Sequence, residues 1–393
     1  MRLLFVDDEP RILQGLKHGL RNKRHVWEMV FAEGGAAALE DIDGGRFDAV
    51  ISDMRMPGID GAEVLRRVKL SQPHATRIML SGQMDESAAV RAAAIAHRFL
   101  AKPCDPQTLV TILSQALNLR AQLDSPLVHE CIGGLAGLPS LPESCAALNR
   151  ALENDNVALD DVVRVVAHDV GMSAKVLQLV NSAFFGLSRR VANVDEAVRN
   201  LGLNAIRSLV LNKTLSQELA GGDVAPFRAE EARSLLAAKL ARRFALERRA
   251  RDVAVTAAML HNVGRLALVA HLPAEQRANG EYARAHRTTA EAAERARLGV
   301  THAEIGAYLL GLWGLPADLI EAVGSHHLPL EGRSTLDPGA VVHLAEALSA
   351  EALGSGEHEA TPLPEKALER LGVAHTVAAI RAEFGSSASD YEL

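Results

Sequence analysis

The sequence predicts an α/β domain followed by an all-α domain, and three observations carry that expectation. Up to about residue 120, short β-rich runs alternate with amphipathic helical ones. Beyond that point the β-rich runs stop, and Ala, Leu and Val recur at helical spacing almost to the end. Between the two halves lies RAQLDSPLVHECIGGLAGLPSLP (Arg120–Pro142), whose three glycines and three prolines suit a boundary. A chain of 393 residues has room for two or three domains with cores of their own.

Taken in order, the strands read LLFVD (3–7), VWEMVFA (26–32), DAVISD (48–53), RIMLSG (77–82) and RFLAK (98–102). Amphipathic stretches such as GAEVLRRVKL (61–70) and ESAAVRAAAIA (86–96) lie between them. Continuously apolar strands alternating with helices predict a five-stranded, doubly wound parallel sheet covered on both faces. The site of such a sheet lies at the carboxyl ends of its strands. In the second half, SAKVLQLVNSAFFG (173–186) illustrates the helical pattern. Ser173 suits an N-cap, Val176, Leu177, Val180 and Phe184 form a stripe, and Gly186 suits the stop. These patterns divide the chain into an α/β domain at 1–122, a linker at 123–137, a helical domain at 138–384 and a tail at 385–393. The tail, GSSASDYEL, has too little apolar content to pack.

Composition narrows the function classes. Hydrophobic residues make up 48% and charged residues 23%, and the net charge of -7 gives no attraction for nucleic acid or an anionic membrane. The basic run RRFALERRAR (242–251) sits on a helical pattern and reads as a solvated helix face. Cys104, Cys131 and Cys145 lack CxxC spacing, which suits reduced thiols. MRLLFVDDEP turns acidic too early for a signal peptide, and no run approaches ~18 uninterrupted apolar residues. A cytoplasmic protein is expected.

Asp7 and Asp8 end the first strand, Asp53 the third, Ser81 the fourth and Lys102 the fifth. In a doubly wound sheet these ends converge. Crowded carboxylates repel one another unless a cation joins them, and oxygen-only ligands suit Mg²⁺. A lysine and a hydroxyl across the pocket could hold phosphoryl oxygens while a carboxylate serves as nucleophile. With the motifs FVDDEP (5–10), ISDMRMPGIDG (51–61), LSG (80–82) and LAKP (100–103), residues 1–120 resemble the receiver domain of two-component response regulators. The resemblance implies that Asp53 accepts a phosphoryl group from a sensor histidine kinase. It further implies that Asp8 binds Mg²⁺ directly, Asp7 through water, and Arg55 through its main-chain carbonyl. Lys102 and the Ser81 hydroxyl would engage the phosphoryl group, and Phe99 holds the family's switching aromatic position without a hydroxyl.

The second half carries LPSLPES (138–144), LVNSAFFG (179–186), NVDEAVRNLG (193–202), LHNVGRLAL (260–268), THAEIGAYLLGLWGLP (301–316) and SHHLP (325–329). With these it resembles the HDOD domain, a relative of the HD-type metal phosphohydrolases. An HD-type centre needs a first His, a His–Asp pair, further histidines and a late Asp, because carboxylates beside imidazoles hold the ion and keep its water acidic. Here no histidine occurs between His168 and His261, and the His–Asp pair has become His261–Asn262. The late Asp is best matched by Glu346; His302, His326 and His327 remain. The site therefore reads as catalytically degenerate, with Mg²⁺ expected in the receiver and no metal in the helical domain.

These readings describe a bacterial response regulator whose output is protein binding rather than catalysis. The implied partners are a sensor kinase and signalling proteins bound by the HDOD domain, with cyclic-di-GMP enzymes among the family's settings. A homodimer through the receiver is compatible with the pattern; nucleic acid and membrane are not expected partners. The enzyme alternative is a metal-dependent phosphodiesterase or phosphohydrolase acting on cyclic dinucleotides or nucleotides.

Overall fold

A computed structural model describes residues 1–82, 92–122, 125, 127–129, 135–154, 156–182, 187, 189–211, 224–354 and 363–384. Most of the run at 86–96, the end of the NSAFFG segment with Phe184 and Gly186, much of the linker, and the tail lie outside the described residues.

The N-terminal elements are β1 (Arg2–Asp7), α1 (Pro10–Gly19), β2 (Glu28–Glu33), α2 (Gly34–Gly44), β3 (Ala49–Asp53), α3 (Gly61–Ser71), β4 (Thr76–Ser81), β5 (Arg98–Ala101) and α4 (Pro106–Gln122). The five strands form one parallel sheet in the order β2-β1-β3-β4-β5. Every residue of β3 and β4 is buried, whereas the edge strand β2 is half exposed. Alternating side chains feed two cores. Leu3, Phe5, Ile51 and Ile78 pack with Leu13, Leu16, Leu109 and Leu113 on one face. Leu4, Val6, Val50 and Met79 pack with Ala38, Ile42, Leu65 and Val68 on the other. β2 begins later than the β-rich composition predicts. The amides of Val26 and Trp27 both donate to Lys23 O, which spends them on a turn before the ladder starts.

The helical half comprises α5 (Pro142–Glu153), α6 (Leu159–Ala167), α7 (Val170–Val180), α8 (Val194–Leu211, broken at Gly202), α9 (Ala225–Ala241), α10 (Arg248–Leu260) and α11 (Val263–His271). It continues with α12 (Pro273–His286), α13 (Ala290–Leu298), α14 (His302–Leu312), α15 (Ala317–Gly324), α16 (Pro338–Ala352), α17 (Glu365–Arg370) and α18 (Ala374–Phe384). α9, α10 and α16 pack on one another, and α11 lies along α14. The segment Arg248–His271 is long and apolar enough to cross a membrane by composition, but 83% of that window is buried inside this protein. It is a core element.

The start of α7 corrects the sequence reading. Ser173 does not cap the helix; Asp169 does, its Oδ1 accepting from Met172 N at 2.7 Å. Ser173 sits within the first turn, fully buried, and its hydroxyl donates to Val166 O. A buried carboxylate accepts the helix-end amide more strongly than a hydroxyl can.

The two halves share a packed boundary. One face of the sheet, with Ala92, Ala93, Ala96 and Phe99, belongs to the same apolar core as α7 and α14. Polar contacts cross it as well. Lys175 Nζ donates to Ala93 O, to Ala136 O at 2.9 Å and to Gln178 Oε1 at 2.9 Å. Gln178 Nε2 donates to His97 O at 2.9 Å, and Trp313 Nε1 to Leu135 O at 3.1 Å.

Candidate functional sites

The first candidate site lies at the carboxyl ends of the strands. Carboxylate oxygens of Asp7, Asp8 and Asp53 lie within 4.8 Å of one another. Lys102 follows β5, and its amide still bonds Ser81 O at 2.7 Å, which carries the side chain over the sheet edge. Its Nζ lies 2.6 Å from Asp7 Oδ2 and 2.9 Å from Asp53 Oδ1. Asp53 Oδ1 also accepts from Met54 N at 2.9 Å. Burial pushes the Asp53 carboxyl above its usual range; Lys102 opposes this, and Asp7 adds to it. Burial also works against the Lys102 charge, but its bonds to Asp7 and Asp53 outweigh that and raise its pKa. Ser81 ends β4 with its Oγ donating to Gly82 O at 3.3 Å. Phe99 is buried on β5, and Arg55 follows β3 on the exposed side. An all-oxygen trio with one ammonium is a donor set that fits a hard divalent ion.

The second candidate site lies where α10, α14, α16 and the turn after α15 meet. His261 ends α10, His302 opens α14, His326 and His327 follow α15, and Glu346 projects from α16. His302, His326, His327 and Glu346 each offer a ligand atom within 4.8 Å of the others. Glu346 thus reaches the histidines. Its carboxylate lies 3.6 Å from His326 Nε2, 3.7 Å from His327 Nδ1 and 4.0 Å from His261 Nε2. His302 Nε2 lies 3.0 Å from His327 Nε2. Burial pushes His261 down to about 4 and His327 to about 2, and His302 falls well below its usual range for the same reason. These rings are neutral at neutral pH.

Asn262 stands apart from this cluster. Its amide Nδ2 lies 3.4 Å from Glu230 Oε2, while its Oδ1 takes no hydrogen bond among the described residues. Three further groups were not legible as site residues. Glu294 Oε2 accepts from His302 N at 2.8 Å and lies 2.7 Å from His302 Nδ1. Arg265 lies 3.6 Å from both Glu294 and Glu230. In AEAAERARL, Glu294 looks like one more charge on a solvated helix, and the helix break at 299–301 hides its relation to His302 from any periodicity.

Comparison with known proteins follows the same division. A model of the response regulator receiver domain matches residues 3–114, and a model of the HDOD domain matches residues 138–329. The probable transcriptional regulatory protein NarL of Mycobacterium tuberculosis is 30% identical over 210 residues, covering 51% of this chain and 94% of that protein. An uncharacterized protein of Treponema pallidum is 30% identical over 198 residues, 48% of this chain and 37% of its own length. The transcriptional regulatory protein GlrR of Escherichia coli is 34% identical over 132 residues, 33% of this chain and 29% of its own. The chain therefore spans about a third of the length of those last two relatives. Among solved structures, the MmoQ response regulator of Methylococcus capsulatus is similar at 25% identity, covering 63% of this chain and 98% of that one, with a TM-score of 0.46. By its two matched domains, in this order, the chain belongs to the response regulators that join an N-terminal receiver domain to an HDOD domain.

Proposed function

We propose that this protein is a phosphorylation-controlled switch in which Asp53 is the phospho-acceptor and the helical half is a protein-binding output. The observation that carries the reading is the acidic trio with Lys102 at its centre. Asp53 Oδ1 is held by Met54 N and Lys102, which leaves Oδ2 to attack phosphorus. The phosphohistidine P–N bond breaks as the P–O bond forms, and the departing imidazole takes a proton. A Mg²⁺ ion held by Asp7, Asp8, Asp53 and the Arg55 carbonyl would neutralise the carboxylates and the phosphoryl oxygens. Lys102 is placed to pass from its Asp53 bond to a phosphoryl oxygen. The Ser81 hydroxyl, now spent on a weak bond to Gly82 O, is free to turn toward the same group.

Ser81 and Phe99 stand on β4 and β5, and the chain between those strands carries the Ala93 and His97 carbonyls that Lys175 and Gln178 hold. A rearrangement around phospho-Asp53 therefore bears on the boundary with the helical domain. A phosphoryl group adds enough charge to bias such a two-state contact. The domains in this reading are 1–122 and 138–384, joined by 123–137. The partners are a sensor histidine kinase and a signalling protein docked on the helical domain. Incubation with a small acyl phosphate and Mg²⁺ should label the wild-type chain once and Asp53→Asn not at all. Equal labelling of the two proteins would refute the assignment.

A further inference from the structure

The histidine cluster of the helical half has a property that packing alone does not explain. His261 Nδ1 lies 2.7 Å from Ala258 O, and His326 Nδ1 is hydrogen-bonded to Val323 O. A carbonyl oxygen can only accept, so each Nδ1 carries the proton and each Nε2 is a bare lone pair. His302 Nδ1 lies 2.7 Å from the buried Glu294 carboxylate, which accepts, and 3.3 Å from Arg265 Nη2, which can only donate; the shorter contact favours the same tautomer, with Nε2 bare. Two imidazoles are thus locked in one tautomer and a third is biased toward it, with their acceptor nitrogens turned inward, toward the Glu346 carboxylate or the ring of His327.

Lone pairs facing a carboxylate repel it. The Nε2 atoms of His261 and His326, both on fully buried rings, take no hydrogen bond among the described residues. A hydrogen bond from His327 to His302 at 3.0 Å would satisfy that pair but leave the other two nitrogens and Glu346 uncompensated. From this geometry we propose that His302, His326, His327 and Glu346 bind one divalent transition-metal ion of the Zn²⁺ class, with Glu294 and the Val323 carbonyl orienting the ligands.

Imidazole nitrogens with one carboxylate suit Zn²⁺ rather than Mg²⁺, which separates this centre from the acidic receiver pocket. Ligand atoms around a tetrahedral Zn²⁺ at about 2.0–2.1 Å stand about 3.4 Å apart. The separations already present, 3.0 Å between the Nε2 atoms of His302 and His327 and 3.6 Å from His326 Nε2 to Glu346, bracket that value. The Glu294–His302 contact has the form of a carboxylate–histidine–metal relay, which fixes the tautomer and raises ligand basicity. His261 Nε2 lies 4.0 Å from the other Glu346 oxygen, Oε1, and Asn262 Nδ2 lies against Glu230, so neither is a ligand here. A bound ion would tie α14, α16 and the turn after α15 together.

The test uses the full, untagged chain stripped with a chelator. Titration with Zn²⁺ against a chromophoric competitor should show one tight site in wild type and an unchanged site in Asp53→Asn. Glu346→Gln, which keeps the shape of the side chain, and His326→Ala should each lose at least tenfold in affinity. Glu294→Gln should lose roughly 10–100-fold through ligand orientation. Co²⁺ loading of wild type should give the visible d–d bands of a low-symmetry nitrogen–oxygen site, a readout that needs no variant to fold. No stoichiometric Zn²⁺ in wild type, a Co²⁺ spectrum of the hexaaquo ion, or affinity unmoved by the folded Glu346→Gln protein would overturn the proposal. Loss of the site in Asp53→Asn alone would also do so, by moving the ion to the receiver pocket.

Discussion

At the scale of single residues, the receiver pocket is held by one ammonium between two buried carboxylates. The side chain of Asp7 is only 1% exposed, so removing Lys102 strands it against Asp53. Lys102→Met keeps the stem and deletes the charge; its expected cost at pH 7 is about 2–4 kcal/mol, near the lower end for breaking a buried pair. The pH dependence has a definite sign. Asp53 is already raised above its usual value, and without Lys102 it rises further. Between its unfolded and folded pKa the native state then binds the extra proton, so the deficit shrinks as pH falls. Urea titrations at pH 7 and pH 5 should show a smaller gap at pH 5, and an equal gap would contradict the electrostatic account. The five residues of this pocket were legible in the sequence because strand ends in a parallel sheet have a fixed destination. In the helical half, His261, His302, His326, His327 and Glu346 were legible only as points on a resemblance. The partners that orient them, Glu294 and Arg265, were hidden because a helix can turn a charge inward without changing its local pattern.

At the scale of elements, helix-to-helix approach decides whether the histidines meet at all. α11 begins directly after His261–Asn262 and lies against α14, whose first residue is His302. That approach depends on Gly264. A Cβ there would meet His302 O at 2.1 Å and Gly306 N at 2.8 Å, both main-chain atoms that cannot swing aside. Gly264→Ala should therefore cost about 1–3 kcal/mol by forcing the helices apart. Gly280, inside α12, is the control: a Cβ there meets only the far end of Arg284 at 3.7 Å. Gly280→Ala should stabilise by about 0.5–1 kcal/mol through helix propensity alone. Opposite signs in chemical denaturation are the expected result; two similar shifts would mean that the close approach does not govern stability. The glycine in HNVGRLAL could be read in the sequence, but the carbonyl it makes room for could not. Such a contact is set by crossing geometry between segments some forty residues apart. The same holds for Asp169, a cap legible as a residue type: it and Ser173 are both fully buried, and only the bond each makes, Asp169 to Met172 N and Ser173 to Val166 O, separates the cap from the residue inside the helix.

At the scale of the whole molecule, the two halves share one apolar core and a buried lysine between them. Lys175 is 5% exposed, and its three ammonium protons meet three acceptors, Ala93 O, Ala136 O and Gln178 Oε1. Those acceptors are dipoles rather than charges, and burial pulls its pKa down to about 7, with Lys69 adding repulsion. The unfolded chain keeps an ordinary lysine near 10.4. Below about pH 7 both states hold the proton and the full cost of burying the charge is present. Between about pH 7 and the unfolded value the unfolded chain binds the extra proton, so stability rises with pH, by at most about 1.4 kcal/mol per unit from this group. Lys69, itself lowered chiefly by burial and then by Arg77, adds a rise of the same sign. Lys175→Met removes only its own share. Stability of wild type and variant measured at pH 7, 8 and 9 should therefore diverge in slope, the wild type gaining more with pH. Parallel curves would mean that Lys175 is solvated and that the boundary between sheet and helices opens in solution.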